Sequence, residues 1–140
     1  MTLYSSGEGS KLASLHRQRL EHQALAPTFQ EIVRIRTIDR FCADEESPRI
    51  DFLKLDVEGR ELKVLAGAQA MLERGSIWYL QFEFSAACID SRAYFKDFCL
   101  LLHERFRLYG IMRDGLLPIE SYRETYEVYK RATNYLAECQ

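Results

Sequence analysis

No stretch of this chain approaches the ~20 consecutive apolar residues that cross a bilayer. Its first residues, Met1-Thr2-Leu3-Tyr4-Ser5-Ser6, also lack the basic and apolar regions of a secretion signal. The expectation is a cytoplasmic protein with no membrane partner. Neither sign of charge gathers into a block, since 19 basic and 21 acidic residues leave a formal net charge of -2. A nucleic-acid groove is therefore not expected. Arg17, Arg19, Arg34, Arg36 and Arg40 crowd the first third without interleaved stacking aromatics, and read as a solvated face. Cysteine is sparse and scattered, at positions 42, 88, 99 and 139. With no Cys-x-x-Cys pair and no histidine at a ligand spacing, neither a zinc site nor a disulfide scaffold is signalled, and a reducing compartment fits.

What is present suits one globular α/β domain, since 140 residues with 47% hydrophobic side chains allow a single sizeable core. Residues 1–30 are irregular: Ser6-Gly7-Glu8-Gly9-Ser10 is a loop composition, a weak helical pattern carries Leu12 and Leu15, and Pro27 ends it. Regular structure is expected over 31–140. Glu31 to Arg36 alternates like a half-exposed strand, and Thr37 is placed to cap a short helix through Cys42. Ile50-Asp51-Phe52-Leu53-Lys54-Leu55 reads as a buried parallel strand, followed by Asp56-Val57-Glu58-Gly59. Val64, Leu65, Ala68, Met71 and Leu72 predict one helix of about four turns, with Gly75 as a left-handed cap.

The aromatic and β-branched run Ile77 to Phe84 predicts a second parallel strand with Glu83 near its end. Asp90 or Ser91 can cap a helix whose stripe is Phe95, Phe98, Cys99 and Leu102. Arg113-Asp114-Gly115 between two apolar runs predicts an antiparallel hairpin, and Thr133 to Ala137 a last strand.

Open α/β sheets bind ligands at the carboxyl ends of their strands, which makes Asp56, Glu58 and Glu83 the candidate catalytic residues. Asp56 can serve as a base or face a cationic ligand. Glu58 fits the same role, or the bland one of an acid in a first helical turn. Glu83 would end the strand beside Asp56. Two close acids share a proton with one raised pKa, or hold a divalent cation, or the Glu is simply buried and hydrogen-bonded. No third ligand is evident, so no metal is expected. Gly59 allows a tight strand-to-helix turn. Lys54 is expected to snorkel out of its apolar run. His16, His22 and His103 suggest no base. Tyr122, Tyr126 and Tyr129 fall at near-helical spacing where they could cover a site.

The stretch Ile-Asp-Phe-Leu-Lys-Leu-Asp-Val-Glu-Gly-Arg-Glu-Leu-Lys-Val-Leu-Ala-Gly-Ala, residues 50 to 68, closely resembles the signature of the FkbM-type methyltransferases. The likeness extends to Arg36-Thr37-Ile38-Asp39-Arg40-Phe41, to Leu80-Gln81-Phe82-Glu83-Phe84, to Asp90-Ser91-Arg92 with Phe95-Lys96-Asp97, and to Asn134-Tyr135-Leu136-Ala137. It covers residues 30 to 138, and 1 to 29 loosely. The resemblance implies part of a Rossmann-like methyltransferase sheet: parallel strand-helix units, then an antiparallel hairpin and strand. It implies S-adenosylmethionine as cofactor, with Asp56 and Gly59 on the cofactor side, and O-methyl transfer to a hydroxyl of a sugar or secondary metabolite.

Such enzymes begin with a strand, a glycine-rich turn and a helix that hold the cofactor. This chain is expected to start downstream of that unit and, as a truncated form, to be inactive alone. The alternatives are a non-catalytic oligomerisation or binding module, or one half of a split enzyme. The strand Ile50 to Leu55 would then have a free edge, to be paired by a second copy, by a complementing chain, or by Ile32 to Arg36.

Overall fold

In a computed structural model, the structure describes residues 2–5, 29–128 and 132–140. The expectations for Ser6 to Ser10, Leu12, Leu15, His16, Arg17, Arg19, His22, Pro27 and Tyr129 fall outside these residues.

Strands β1 (Thr2–Ser5) and β2 (Phe29–Ile32) form a two-stranded antiparallel ladder. The strand expected over Glu31 to Arg36 therefore lies earlier. Its ladder stops where Ile32 meets Thr2, and the alternation beyond it faces no core, with Ile35 half exposed. Helix α1 (Ile38–Asp44) begins as expected, the Thr37 hydroxyl accepting from the Arg40 amide at 3.1 Å. It runs slightly past Cys42.

The main sheet contains β3 (Ile50–Leu55), β4 (Ile77–Phe84), β5 (Phe106–Met112), β6 (Gly115–Ile119) and β7 (Thr133–Cys139), in the spatial order β3-β4-β7-β5-β6. β3 and β4 are parallel, as their apolar runs predict. β7 inserts antiparallel between β4 and β5, so β5 runs in the same direction as β4. The hairpin forms between β5 and β6, with Met112 paired to Gly115, so the turn residues are Arg113 and Asp114 and Gly115 opens the strand. The expected pairing of β3 with Ile32 to Arg36 does not occur. β2 is occupied by β1, and among the described residues β3 has β4 as its single neighbour.

The four-turn helix is instead two short ones, α2 (Glu61–Ala66) and α3 (Gln69–Glu73). The break has a long-range cause. The Asp39 carboxylate of α1 accepts from the amides of Ala70 and Met71 at 2.9 and 3.0 Å, and the Asp39 amide donates to the Gly67 carbonyl at 2.9 Å. Asp39 thus terminates one helix and caps the next. Gly75 takes the left-handed conformation expected of it, with φ of 65°.

After β4 come α4 (Ala86–Asp90) and α5 (Phe95–Leu102). Neither Asp90 nor Ser91 caps α5. Its first amides are met by the Asp97 carboxylate, which accepts from Tyr94, and by Glu127 of a 3-10 turn (Glu124–Glu127), which accepts from Phe95 and Lys96 at 2.8 and 3.0 Å.

Strand alternation sorts the sheet into two unlike faces. Leu55, Leu80, Phe82, Phe84, Tyr135, Ala137, Phe106 and Leu108 are buried in one core with Leu65, Met71, Phe95, Phe98 and Leu102 from the helices. Phe82 stacks on Phe98 with ring centroids 4.5 Å apart. On the opposite face Phe52, Lys54, Tyr79, Gln81, Glu83, Leu136 and Tyr109 are exposed or half-buried.

Replacing Asp39 with Ala removes both cap bonds to α3, and should cost about 1–2 kcal/mol in urea unfolding. Asp39→Asn should keep most of that stability, and an unchanged midpoint in Asp39→Ala would refute the cap.

Candidate active site

The apolar run of β3 ends at Leu55, and the chain turns through Asp56 to Arg60 before α2 starts. That turn is tight. Glu58 has φ of 50°, a left-handed conformation uncommon outside glycine, and Gly59 has φ of 87°. A Cβ on Gly59 would lie 2.2 Å from the Ala87 carbonyl oxygen, so the turn rests directly on the backbone of α4. The structural demand on Gly59 is therefore explicit: the space a side chain would need is filled by this protein's own main chain.

Asp56 lies at the carboxyl end of β3 with its side chain half exposed. Lys54, two residues back on the same face, reaches it at 3.3 Å. Lys54 thus emerges from its strand as expected and supplies a partner, in an exposed pair worth up to about 1 kcal/mol. Continuing the parallel register past Leu55 and Phe82 sets Asp56 beside Glu83. Burial first, and then the negative charge of Asp56, push the Glu83 carboxyl above its ordinary value of 4.5, opposed by a hydrogen bond from Ser85 and reinforced by Glu58 and Glu61. The structure thus brings Asp56, Glu58 and Glu83 to one edge of the sheet, where they sense each other's charge. Among the described residues, no group of three or more acidic, histidine or cysteine side chains is arranged to hold a metal ion.

Glu61 is the residue that the sequence reading passed over. It is the sole charged or polar residue of the described core, at 2% exposure. Its Oε1 accepts from the amides of Val57 and Gly59 at 3.0 and 3.4 Å, and its Oε2 accepts from the Cys88 thiol at 3.5 Å. Burial pushes that thiol up to about 12, with Glu61 adding to the shift. A signal was available: an acid two residues beyond the glycine of a tight turn, at the first position of a helix, can fold back onto the turn's amides.

The remaining candidates lie elsewhere. The Gln81 side chain donates to Asn134 at 2.9 Å, on the same open face as Glu83. Tyr122 donates to Glu127 at 3.0 Å and the Tyr126 ring packs on Phe95, so both brace α5. His103 follows α5, its Nδ1 2.9 Å from the Leu100 carbonyl. A cavity of about 330 Å³ opens between α5 and the β5–β6 hairpin, lined in part by Cys99, His103, Leu108, Ile119 and Tyr122, and includes none of the four acids.

Two outcomes follow from this geometry. The folded chain holds the Glu83 proton more tightly than the unfolded chain does, so this group's contribution to stability falls as pH rises from 4.5 through the folded value. Glu83→Gln should therefore raise the thermal midpoint at neutral and alkaline pH, by an amount that vanishes as pH falls to the ordinary carboxyl range. A pH-independent difference would contradict the assignment. Gly59→Ala should lower stability by more than ~2 kcal/mol in urea unfolding, because it combines a positive φ with a backbone clash.

Comparison with known families identifies one that this chain matches. A family model described as the methyltransferase FkbM domain matches residues 3–108. That span is more than half of the 140 residues and includes β3, β4 and all four acids. It begins earlier than the likeness visible in the motifs, and stops within β5. No curated protein and no solved structure matches the chain. On the strength of the family model, whose matched span includes the acidic edge of the parallel pair, the chain belongs to the FkbM methyltransferase domain family.

Proposed function

We propose that this domain works in S-adenosylmethionine-dependent O-methyl transfer, with its acidic edge on the acceptor side and a hydroxyl of a sugar or secondary metabolite as acceptor. The observation that carries the reading is Glu83, a carboxyl lifted above its ordinary range beside Asp56 at the carboxyl end of a parallel pair. The strand order supports a Rossmann-like methyltransferase arrangement, with β3 and β4 as its fourth and fifth strands and an antiparallel strand inserted next to them. A cytoplasmic setting fits four unpaired cysteines, and no helix among the described residues is long and apolar enough to cross a membrane.

S-adenosylmethionine, when bound, supplies a methyl group on a cationic sulfonium. The donor set fits one part of it: Asp56 and Glu58 supply carboxyl oxygens of a kind that can face a sulfonium or ammonium group. It does not fit the rest. Among the described residues no turn with two or more glycines joins a strand to a helix, and the room at Gly59 is taken by Ala87. The cofactor cradle is accordingly assigned to other residues, and these residues alone should bind the cofactor weakly.

The chain's own chemistry concerns the acceptor. A hydroxyl oxygen that gains a methyl group must lose its proton, and a carboxylate of raised proton affinity is the better acceptor for it. Glu83 takes that role, with Asp56, held by Lys54, placed beside it. The outer edge of β3 is the place where a complementing strand would complete the sheet.

Titration of the isotope-labelled chain with S-adenosylmethionine tests this. Amides of Asp56, Glu58 and Glu83 should shift with an affinity on the order of 1 mM, about -4 kcal/mol, and Asp56→Ala should abolish the shifts. No shift at these amides near saturation would sink the reading, and micromolar binding would overturn the claim that the cradle lies elsewhere.

A further inference from the structure

The two strand ends that carry the acids meet at one thiol, whose single proton has two oxygen acceptors within reach. Glu61 Oε1 holds the amides of Val57 and Gly59 at 3.0 and 3.4 Å, within the turn that follows Asp56. Its Oε2 receives the Cys88 thiol at 3.5 Å. The same thiol lies 3.6 Å from the main-chain carbonyl of Glu83. A second contact runs alongside, where Gly59 rests on the Ala87 carbonyl. Both contacts join residues 57–59 to residues 83–88.

A buried carboxylate is costly unless hydrogen bonds replace its water, so its placement calls for a reason. Capping α2 is not that reason. The helix begins at Glu61 itself, and the amides that its carboxylate holds lie before the helix. A cap could also have been made by an exposed Ser or Asp with no burial. Nor can Glu61 act on a ligand: both of its oxygens are engaged and it has almost no exposure.

We propose that Glu61 and Cys88 form a clasp that positions the acidic edge, fixing Asp56 and Glu58 on the turn against Glu83 on the neighbouring strand. Glu61 is a positioning residue in this scheme. Its carboxylate locks the turn into the left-handed conformations at Glu58 and Gly59, and the thiol, its one proton shared between Glu61 Oε2 and the Glu83 carbonyl, sits between that lock and the strand bearing Glu83. The spacing of the acids then does not depend on a ligand to assemble it. Such preorganisation matters because displacing a reacting group by about 1 Å can cost on the order of 100-fold in rate. What the acids do rests on the methyltransferase reading; the clasp rests on geometry alone.

The test needs neither cofactor nor turnover. Amide hydrogen exchange at Val57 and Gly59 should accelerate at least about tenfold in Glu61→Ala, while amides of β4 stay as in the wild type. Glu61→Gln, which keeps an acceptor oxygen, should restore the protection. Cys88→Ala removes no charge, so a displaced Glu83 titration midpoint, together with faster exchange at Val57 and Gly59, reports released positioning. If Cys88→Ala leaves both at wild-type values, the clasp is refuted, and this variant decides alone should Glu61→Ala not fold. Altered exchange in a chain that shows no cofactor response would sink the methyltransferase reading and spare the clasp. Unaltered exchange and titration in Cys88→Ala, in a chain whose Asp56 responds to cofactor, would do the reverse.

Discussion

A turn that must lie against a neighbouring backbone constrains everything near it. Residue 59 approaches the Ala87 carbonyl closely enough that no side chain fits, and the same turn is held from below by the buried Glu61. Together these fix where β3 stops, how α2 starts, and how far the end of β3 stands from the end of β4. The conformation carries strain, since Glu58 is held in a region that favours glycine, a state costing on the order of 1 kcal/mol that persists only when its surroundings over-determine it. Glu61 supplies that determination. Its hydrogen bonds from two amides and one thiol replace the water that its carboxyl group has lost, and they direct the chain along the path left open past α4.

The parallel pair and the hairpin were legible because their signals are local. Ile50 to Leu55 and Ile77 to Phe84 are apolar runs of strand length, and Asp114-Gly115 sits between two more. Thr37 was legible as a cap for the same reason, acting three residues away. The failures share the opposite cause. Asp39 divides the helix after Gly59 from 31 residues away in sequence, and Glu127 caps α5 from 32 residues away, so no window of periodicity contains either. Glu31 to Arg36 alternates without a core to face, and its ladder ends at Ile32. The acidic edge was visible as residue types at strand ends. The carboxylate that organises it was hidden in plain view, two residues past Gly59, because sequence shows an acid in a helical turn and cannot show that it is buried.

The two faces of the sheet make unequal demands. One is sealed by aromatic packing, Phe82 against Phe98 and Phe84 edge-on to Phe95, and this packing holds α5 over β4. The other presents Phe52, Tyr79, Leu136 and Tyr109 beside Lys54, Gln81 and Glu83. Only β3 and β4 pair in parallel, and the antiparallel pairings of β7, β5 and β6 can leave one face open among the described residues. Among the described residues β3 is the edge strand of the sheet, and it carries the exposed Phe52 and Lys54.

The acids carry an electrostatic cost that the fold has to meet. Burial first, and then the neighbouring acids Asp56, Glu58 and Glu61, raise the proton affinity of Glu83, so the folded state disfavours the charged form there. Glu61 offsets its share of that repulsion with structural hydrogen bonds to the turn. A chain selected for stability alone would do better with Gln or Leu at position 83, whose strand neighbours Phe82 and Phe84 already secure the core. A carboxylate there, on the open face and beside Asp56, is what the proposed proton transfer would require. The proposed clasp belongs to the same logic, since it holds the turn closed against the repulsion among these acids.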